Sequence, residues 1–237
     1  MIRKIGLVAA CTCGATALHA GGLERTTQSP AVIFEDGRYF EVNLGYGAPS
    51  VSGVAGAITP GATSGNMTEN FLNFGFAYKA DLNDTWSYAL IYDQPYGASV
   101  NYPTGTGYFA AGSTAEFKSH ALTGILKYRV NDNVSLFGGL RAQSIQAEAD
   151  VLFLTYTADT EADMRIGYLA GAAYERPEIA LRVALTSHSA VTHKLDTTEN
   201  IAPPSVTEIE MPQALNLEFQ TGVAEDTLVF GSVRWVD

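Results

Sequence analysis

The stretch from Gln213 to Trp235, QALNLEFQTGVAEDTLVFGSVRW, decides the fold. Within it, three apolar residues alternate with three polar ones: Leu215, Leu217 and Phe219 against Asn216, Glu218 and Gln220. This period-two pattern is typical of a strand with one apolar and one polar face. A short turn at Ala224–Thr227 follows, and Leu228 begins a second strand. The stretch therefore predicts a β-hairpin whose two faces meet different solvents.

The same unit recurs upstream and predicts nine strands of about ten residues. Their connections alternate between long and short. The long loops are 47–69, 97–115, 147–164 and 188–212, and the short turns are 83–85, 131–133, 175–178 and 224–227. Outer-membrane barrels have short periplasmic turns and long extracellular loops. The sequence therefore predicts an all-β, antiparallel transmembrane β-barrel.

A soluble β-sandwich or lipocalin-like barrel also has alternating strands. It predicts neither the asymmetry of the connections nor a polar strand face with four cations, Lys127, Arg129, Arg141 and Arg182. Aromatic residues flank the short turns, as in the interfacial girdle of a membrane barrel: Tyr78, Trp86, Tyr128 and Tyr174. These observations favour the membrane barrel.

The composition agrees with export to a membrane. Charged residues make up only 16% of the chain, against roughly 25% in ordinary soluble domains. No run approaches the ~20 apolar residues of a spanning helix. The net charge of −11 argues against a nucleic-acid partner, because a polyanion would be repelled.

The first twenty residues resemble a secretory signal peptide. Arg3 and Lys4 precede an apolar run from Ile5 to Ala17, and we expect cleavage after about Ala20. A lipoprotein site before Cys11 is the alternative, with a shorter apolar region. Both cysteines, Cys11 and Cys13, lie inside the predicted signal, so we expect no disulfide in the mature chain.

Several stretches resemble the FadL-type long-chain fatty acid transporters of the outer membrane. They are VIFEDG at 32–37, YDQPYG at 92–97, FGGLRAQ at 137–143, AYERPEIALR at 173–182, and the Gln213–Trp235 hairpin. The resemblance implies a fourteen-stranded barrel plugged by an N-terminal hatch. It also implies that a hydrophobic ligand enters from an extracellular groove, passes a lumenal pocket, and leaves sideways near a kinked third strand. Residues 21–37 would be a short hatch-like segment and 38–237 part of the barrel.

Carried over to this chain, Ser29-Pro30-Ala31 lies where the family has Asn-Pro-Ala in the hatch, beside the kink. Pro95 and Gly97 fall at the upper end of strand three. Proline removes a ladder donor and glycine bends a strand, so both suit a lateral opening, or they simply end the strand at a loop.

Two features depart from the family. The segment before Ser29 is short, which puts its plugging role in question, and the ninth strand ends at Asp237. Because single-chain bacterial barrels have even strand counts and an open edge in lipid is untenable, we expect this chain to be the N-terminal portion of a longer protein.

The function predicted is passive uptake of hydrophobic small molecules, with long-chain fatty acids as the first candidate. Phe137 and Ile145 are apolar residues on the polar face of strand five, beside Arg141 as a partner for a carboxylate. Phe153 and Leu154 lie in the third long loop, where an apolar groove is expected. The ordinary alternative for each is packing against the plug or within the loop.

A non-selective porin, or a surface adhesin or receptor, is the alternative. A hydrolase is disfavoured because His120, His188 and His193 have neither nucleophile-elbow nor zinc spacing. The loop acids Asp150, Asp159, Glu161 and Asp163 suit calcium or lipopolysaccharide bridging, or are simply solvated. We expect a monomer without cofactor or metal, in contact with outer-membrane lipid and lipopolysaccharide.

Overall fold

The computed structural model describes residues 23–237, so the predicted signal peptide and residues 21–22 of the hatch-like segment lie outside it. The strands are β1 (Tyr39–Gly47), β2 (Phe71–Asp81), β3 (Trp86–Asp93), β4 (Gly97–Asn101), β5 (Thr114–Arg129), β6 (Val134–Val151), β7 (Tyr156–Thr160), β8 (Asp163–Arg176), β9 (Leu181–His188), β10 (Val191–Glu199), β11 (Ser205–Met211), β12 (Ala214–Ala224) and β13 (Thr227–Val236). Three 3-10 turns accompany them, Ala31–Phe34, Leu152–Leu154 and Pro177–Ile179. Across residues 23–237, no helix is long and apolar enough to cross a membrane.

Nine of these strands form the wall, in the order β1-β2-β3-β5-β6-β8-β9-β12-β13. Neighbours in this order are antiparallel, and the sheet curls into a half-barrel with a concave inner face. Strands β1 and β13 are the two ends of the described sheet. The prediction of nine antiparallel barrel strands is confirmed.

The two faces of the wall differ as the alternation predicts. The outer face carries large apolar side chains that are more than 60% exposed, among them Leu72, Leu140, Ile166 and Tyr168. The inner face carries small, polar and charged residues. Aromatic pairs lie on the outer face near the short turns, with the rings of Trp86 and Tyr128 4.9 Å apart. This arrangement fits a sheet whose outer face meets lipid.

The prediction of four long loops is wrong in part, because three of the predicted loops contain strands. Strand β4 lies in 97–115, the end of β6 and all of β7 lie in 147–164, and the β10–β11 hairpin lies in 188–212. Alternation continues there with small residues inside and acids outside, as in Ala147-Glu148-Ala149-Asp150. Such a segment lacks the large apolar residues that mark a barrel strand. It therefore resembles a loop in sequence, although its residues still alternate.

Candidate functional site in the concave face

The hatch segment, residues 23–37, lies against the concave face of the wall. Its 3-10 turn buries Val32, Ile33 and Phe34 among inward residues of β2, β3, β5, β6, β8 and β9. The ring of Phe34 meets that of Phe137 edge-on at 5.5 Å. The segment therefore has its own apolar anchor on the wall, despite the short length before Ser29.

Two cations also pack against the Phe34 ring. The Lys127 ammonium lies 5.1 Å and the Arg182 guanidinium 4.9 Å from the centre of its ring. A cation over an aromatic face is attracted by the ring quadrupole, more strongly where water is excluded. A Cβ on Gly171 would come within 2.6 Å of the Phe137 ring and 2.5 Å from the Leu185 carbonyl oxygen, so a side chain at 171 would displace Phe137.

The polar half of the hatch segment is hydrogen-bonded to strands on both sides of the half-barrel. Its residues each contact a different inward group. The contacts are Glu24 with Arg234 at 2.8 Å, Thr26 with Asp93 at 2.8 Å, the Thr27 carbonyl with Asn216 at 3.1 Å, Gln28 with Arg141, and Ser29 with Glu218 at 2.5 Å. The segment thus connects β3 and β6 to β12 and β13 across the concave face.

Arg141 is the central cation of this network. Its Nη2 lies 3.1 Å from Asp93 Oδ1, and its Nη1 donates to the side-chain oxygen of Gln28. Both members of the ion pair are buried, with side-chain exposures of 9% and 12%. The positive charge of Arg141 is therefore neutralised by the protein itself.

A cavity of about 460 Å³ lies between the hatch segment and β1, β2 and β3. We call it the hatch cavity. Its inner end is lined by Arg141, Leu169 and His188, and its outer end includes Phe74 and Tyr92, whose side chains belong to the outer face. The hatch cavity therefore extends from the concave face into the wall between β2 and β3, where two residues with outward side chains line it.

The outer end of the hatch cavity coincides with a break in the wall. The ladder between β2 and β3 stops at the pair Phe76–Tyr92, and β4 pairs with β5 alone. Pro95 lies in this break and has no N–H to donate. Beyond it the wall closes again at the Thr68–Val100 bridge. We call the space between residues 71–75 and 94–97 the lateral gap.

A second cavity, the upper groove, has a volume of about 370 Å³ and lies at the long-loop end of the concave face. Much of its lining is small or apolar, from Ala98, Val100, Ala115, Phe117, Ala147, Ala149 and Ala158. Three acids, Glu116, Glu148 and Glu199, and three threonines, Thr160, Thr197 and Thr207, line it as well. Phe117 stands opposite both Ala98 and Ala147 in the sheet register. The groove therefore offers a mostly apolar surface that acidic side chains border.

A tight apolar cluster separates the upper groove from the hatch cavity. We call it the constriction, and its members are Tyr96, Ile145, Val191, Leu195 and Met211. Phe117 of the upper groove packs against its upper side. Below it is a void of about 10 Å³, room for about one water, which shares Arg141 and His188 with the hatch cavity. Three of the five members come from the β10–β11 hairpin, which folds over the concave face.

The residues predicted for ligand passage are distributed over these features. Phe137 packs on the hatch anchor, Arg141 lines the hatch cavity, and Ile145 belongs to the constriction. Phe153 and Leu154 are exposed at the Leu152–Leu154 turn, where Phe153 meets Phe109 at 5.2 Å. Phe109 in turn contacts Tyr108 at 4.6 Å, so the loops carry a small aromatic cluster.

The residues predicted for the hatch and the lateral opening lie near one another. Ser29, Pro30 and Ala31 line the hatch cavity and lead into the buried 3-10 turn. Pro95 and Gly97 border the lateral gap, and the chain continues beyond them as β4 instead of ending in a loop. The β3 strand therefore ends before Pro95, and β4 begins at Gly97.

The three histidines are not brought together. His120 faces outward, bonded to the Tyr92 hydroxyl at 2.8 Å, while His188 faces the hatch cavity on the opposite side of the wall. His193 contacts the Asp163 carboxylate at 3.1 Å. Within residues 23–237, no three histidine, cysteine or acidic residues come together as a metal site.

The loop acids have different surroundings. Asp159 stands opposite Glu148 in the register and Asp150 lies two residues further along β6, both exposed. The Asp163 carboxylate forms an ion pair with Arg165 Nε at 2.9 Å. The main-chain N–H of Glu161 donates to the Asp196 carbonyl at 3.0 Å.

Sequence reasoning missed the constriction and the polar contacts of residues 24–28. The constriction residues Val191, Leu195 and Met211 lie in a segment interpreted as a loop, although Val191, His193 and Leu195 already alternate with polar residues. No local signal marks Arg25 or Thr26, since their partners are some seventy residues away in sequence.

The fold is similar to that of solved proteins. Sixteen solved chains match, among them the crystal structure of a Pseudomonas aeruginosa FadL homologue, with a TM-score of 0.63 and 16% sequence identity. The match covers 87% of this chain and 62% of the homologue, so the chain spans less than two thirds of that structure. At this identity the similarity shows a shared fold. No protein-family model matches the sequence, and no curated protein matches it.

Proposed function

We propose that this chain forms part of an outer-membrane barrel that takes up hydrophobic small molecules passively, with long-chain fatty acids as the substrate class. The observation that carries the proposal is the hatch cavity, which runs from the inner face to side chains that face lipid. A water-filled pore has no need of such an exit, whereas an apolar molecule can leave through it into the bilayer without crossing water.

The upper groove supports the same direction of passage. Its mostly apolar lining, bordered by three glutamates, lies at the long-loop end, where an extracellular ligand would arrive. The aromatic cluster around Phe153 lies on the loops. A fatty acid would lie first in this groove, pass the constriction at Ile145, and reach the hatch cavity. The similarity in fold to a FadL homologue and the sequence resemblance described above support this route.

A non-selective porin is the second candidate, because inward groups of the wall are polar, as in Thr123 and Asn216. The seating of the hatch segment weighs against it: Phe34 and its neighbours occupy the concave face, and the polar contacts of residues 24–29 hold the segment there. Passage as proposed involves no covalent chemistry. Export by a signal peptide cleaved after about Ala20 belongs to the same proposal.

The test is uptake of radiolabelled oleate by cells that lack other fatty-acid carriers, with and without the complete gene. Uptake that is lost on deletion and restored by the wild-type gene is the expected result. Labelled glucose serves as the control solute, since a porin would pass it as well. Oleate uptake that does not depend on the gene, or equal gene-dependent entry of glucose, would overturn the proposal.

A further inference from the structure

Arg25 of the hatch segment lies in the lateral gap. Its main-chain N–H donates to the Pro95 carbonyl at 2.8 Å, and its own carbonyl accepts from Asn73 Nδ2 at 3.3 Å. Pro95 belongs to the kink and Asn73 to β2, which are the two sides of the break. The main chain of Arg25 therefore bridges the break, beside a hydrogen bond across it from the Phe74 N–H to Gln94 Oε1 at 3.0 Å.

The Arg25 side chain is held in the gap by packing. Its guanidinium lies 4.2 Å from the centre of the Phe71 ring. A Cβ on Gly97 would approach Arg25 Nε to 2.5 Å, so the guanidinium fits because residue 97 has no side chain. The absence of a side chain at residue 97 therefore leaves room for the flexible guanidinium.

Within the described residues, the Arg25 guanidinium has no hydrogen-bond acceptor and no ion-pair partner, and its Nε is buried without a partner. The other inward arginines of the network differ. Arg141 is paired with Asp93, and Arg234 with Glu24. The Arg25 side chain is partly exposed, and the Glu116 carboxylate acts on it electrostatically without forming an ion pair. A partly desolvated cation without a direct partner favours the arrival of an anion.

We propose that Arg25 is the carboxylate-binding residue of the lateral gap, and that it holds the head group of a fatty acid while the chain leaves toward lipid. This inference rests on the proposed function and refines it, because it assigns head-group recognition to Arg25 instead of the already neutralised Arg141. A guanidinium matches a carboxylate with two parallel hydrogen bonds. The outer-face residues Phe74 and Tyr92, which also line the hatch cavity, offer the apolar chain a surface.

The experiment measures equilibrium binding of oleate and of oleyl alcohol to the purified full-length protein in a neutral detergent. The two probes share a chain and differ in the carboxylate. We expect Arg25→Gln to weaken oleate binding by about tenfold or more and to leave oleyl alcohol binding unchanged. Arg25→Lys keeps the positive charge but loses the planar guanidinium, so its oleate affinity should lie between those of the wild type and Arg25→Gln. Arg38→Gln, at an exposed arginine outside the cavity, is the matched control.

Two results would overturn the inference while leaving the proposed function in place. One is oleate binding by Arg25→Gln as tight as that of the wild type. The other is an equal loss of oleate and oleyl alcohol, which would show that Arg25 acts by filling the gap. Failure of the wild-type protein to bind either probe would instead overturn the proposed function, and this inference with it. Far-UV circular dichroism of each variant checks that the sheet is retained.

Discussion

The carboxylate of Asp93 is shared between the wall and the hatch segment: it lies 3.1 Å from Arg141 Nη2 and accepts a hydrogen bond from Thr26 at 2.8 Å. Asp93 is also the last residue of β3 before the kink at Pro95. One side chain therefore ties together the central cation, the hatch segment and the border of the lateral gap.

Removal of Asp93 should leave Arg141 as a buried, unpaired charge. We expect Asp93→Ala to lower the free energy of unfolding by about 3 kcal/mol, since breaking a buried pair from one side costs this much. In a double-mutant cycle with Arg141→Ala, the coupling should be about 1–3 kcal/mol. Urea unfolding of each variant in lipid vesicles measures the free energies from which this coupling energy is calculated. Additive effects of the two substitutions would show that the pair contributes nothing beyond its members.

Phe34 should anchor the hatch segment. Phe34→Ala removes the ring from Phe137, Lys127 and Arg182, and we expect it to destabilise docking of the segment by about 3–5 kcal/mol. Amide hydrogen exchange of residues 31–34 should rise accordingly. Leu23→Ala, at a 40% exposed apolar residue of the same segment, is the control and should change little. Unaltered protection in Phe34→Ala would exclude the anchor.

Docking of the hatch segment should depend on pH through Glu35. Burial raises the pKa of the Glu35 carboxyl from 4.5, although Arg182 opposes the shift. Because the docked state favours the protonated form, docking is strongest below the unfolded pKa and weakens as pH rises through the raised one. Glu35→Gln should therefore be better docked than the wild type at neutral pH.

Hydrogen exchange of residues 31–34, corrected for intrinsic rates, between about pH 4 and pH 7 measures this dependence. The wild type should lose protection with rising pH, and Glu35→Gln should lose less. Asp132→Asn, at an exposed acid of a short turn that is not among the charges acting on Glu35, is the control and should follow the wild type. Identical slopes for Glu35→Gln and the wild type would rule out Glu35 as the group responsible.

The constriction should limit access to the void below it. We take Gln143→Cys as a reporter, since Gln143 is 2% exposed and its Nε2 has no partner in the described structure. Leu195→Ala should speed maleimide labelling of this cysteine by about tenfold or more, the effect of about 1.4 kcal/mol of lost closure. Thr192→Ala, on the exposed side of the same strand, is the matched control. Equal labelling rates in the two variants would mean that Leu195 does not restrict access to the void.

The nine wall strands could be read from the sequence because alternation is a local property. Each wall strand repeats large apolar residues on its outer face, and the register of neighbours follows from short turns such as Asn131-Asp132-Asn133. The prediction fails where the outer face carries polar residues instead. There, Ala147 and Ala149 face inward and Glu148 outward. Strand β6 therefore continues without the large outward apolar residues by which the other strands were predicted.

The sequence by itself determined the alternation of the wall, the position of its short turns, and the inward placement of Phe137, Arg141 and Ile145. Only the tertiary structure decided their partners. Phe34 meets Phe137, Asp93 neutralises Arg141, and Arg25 reaches the gap beside Gly97. These contacts join segments that are far apart in the chain, and the curl of the sheet brings them within reach. Local propensity carries no information on such distances, whereas packing and charge pairing on the concave face depend on them.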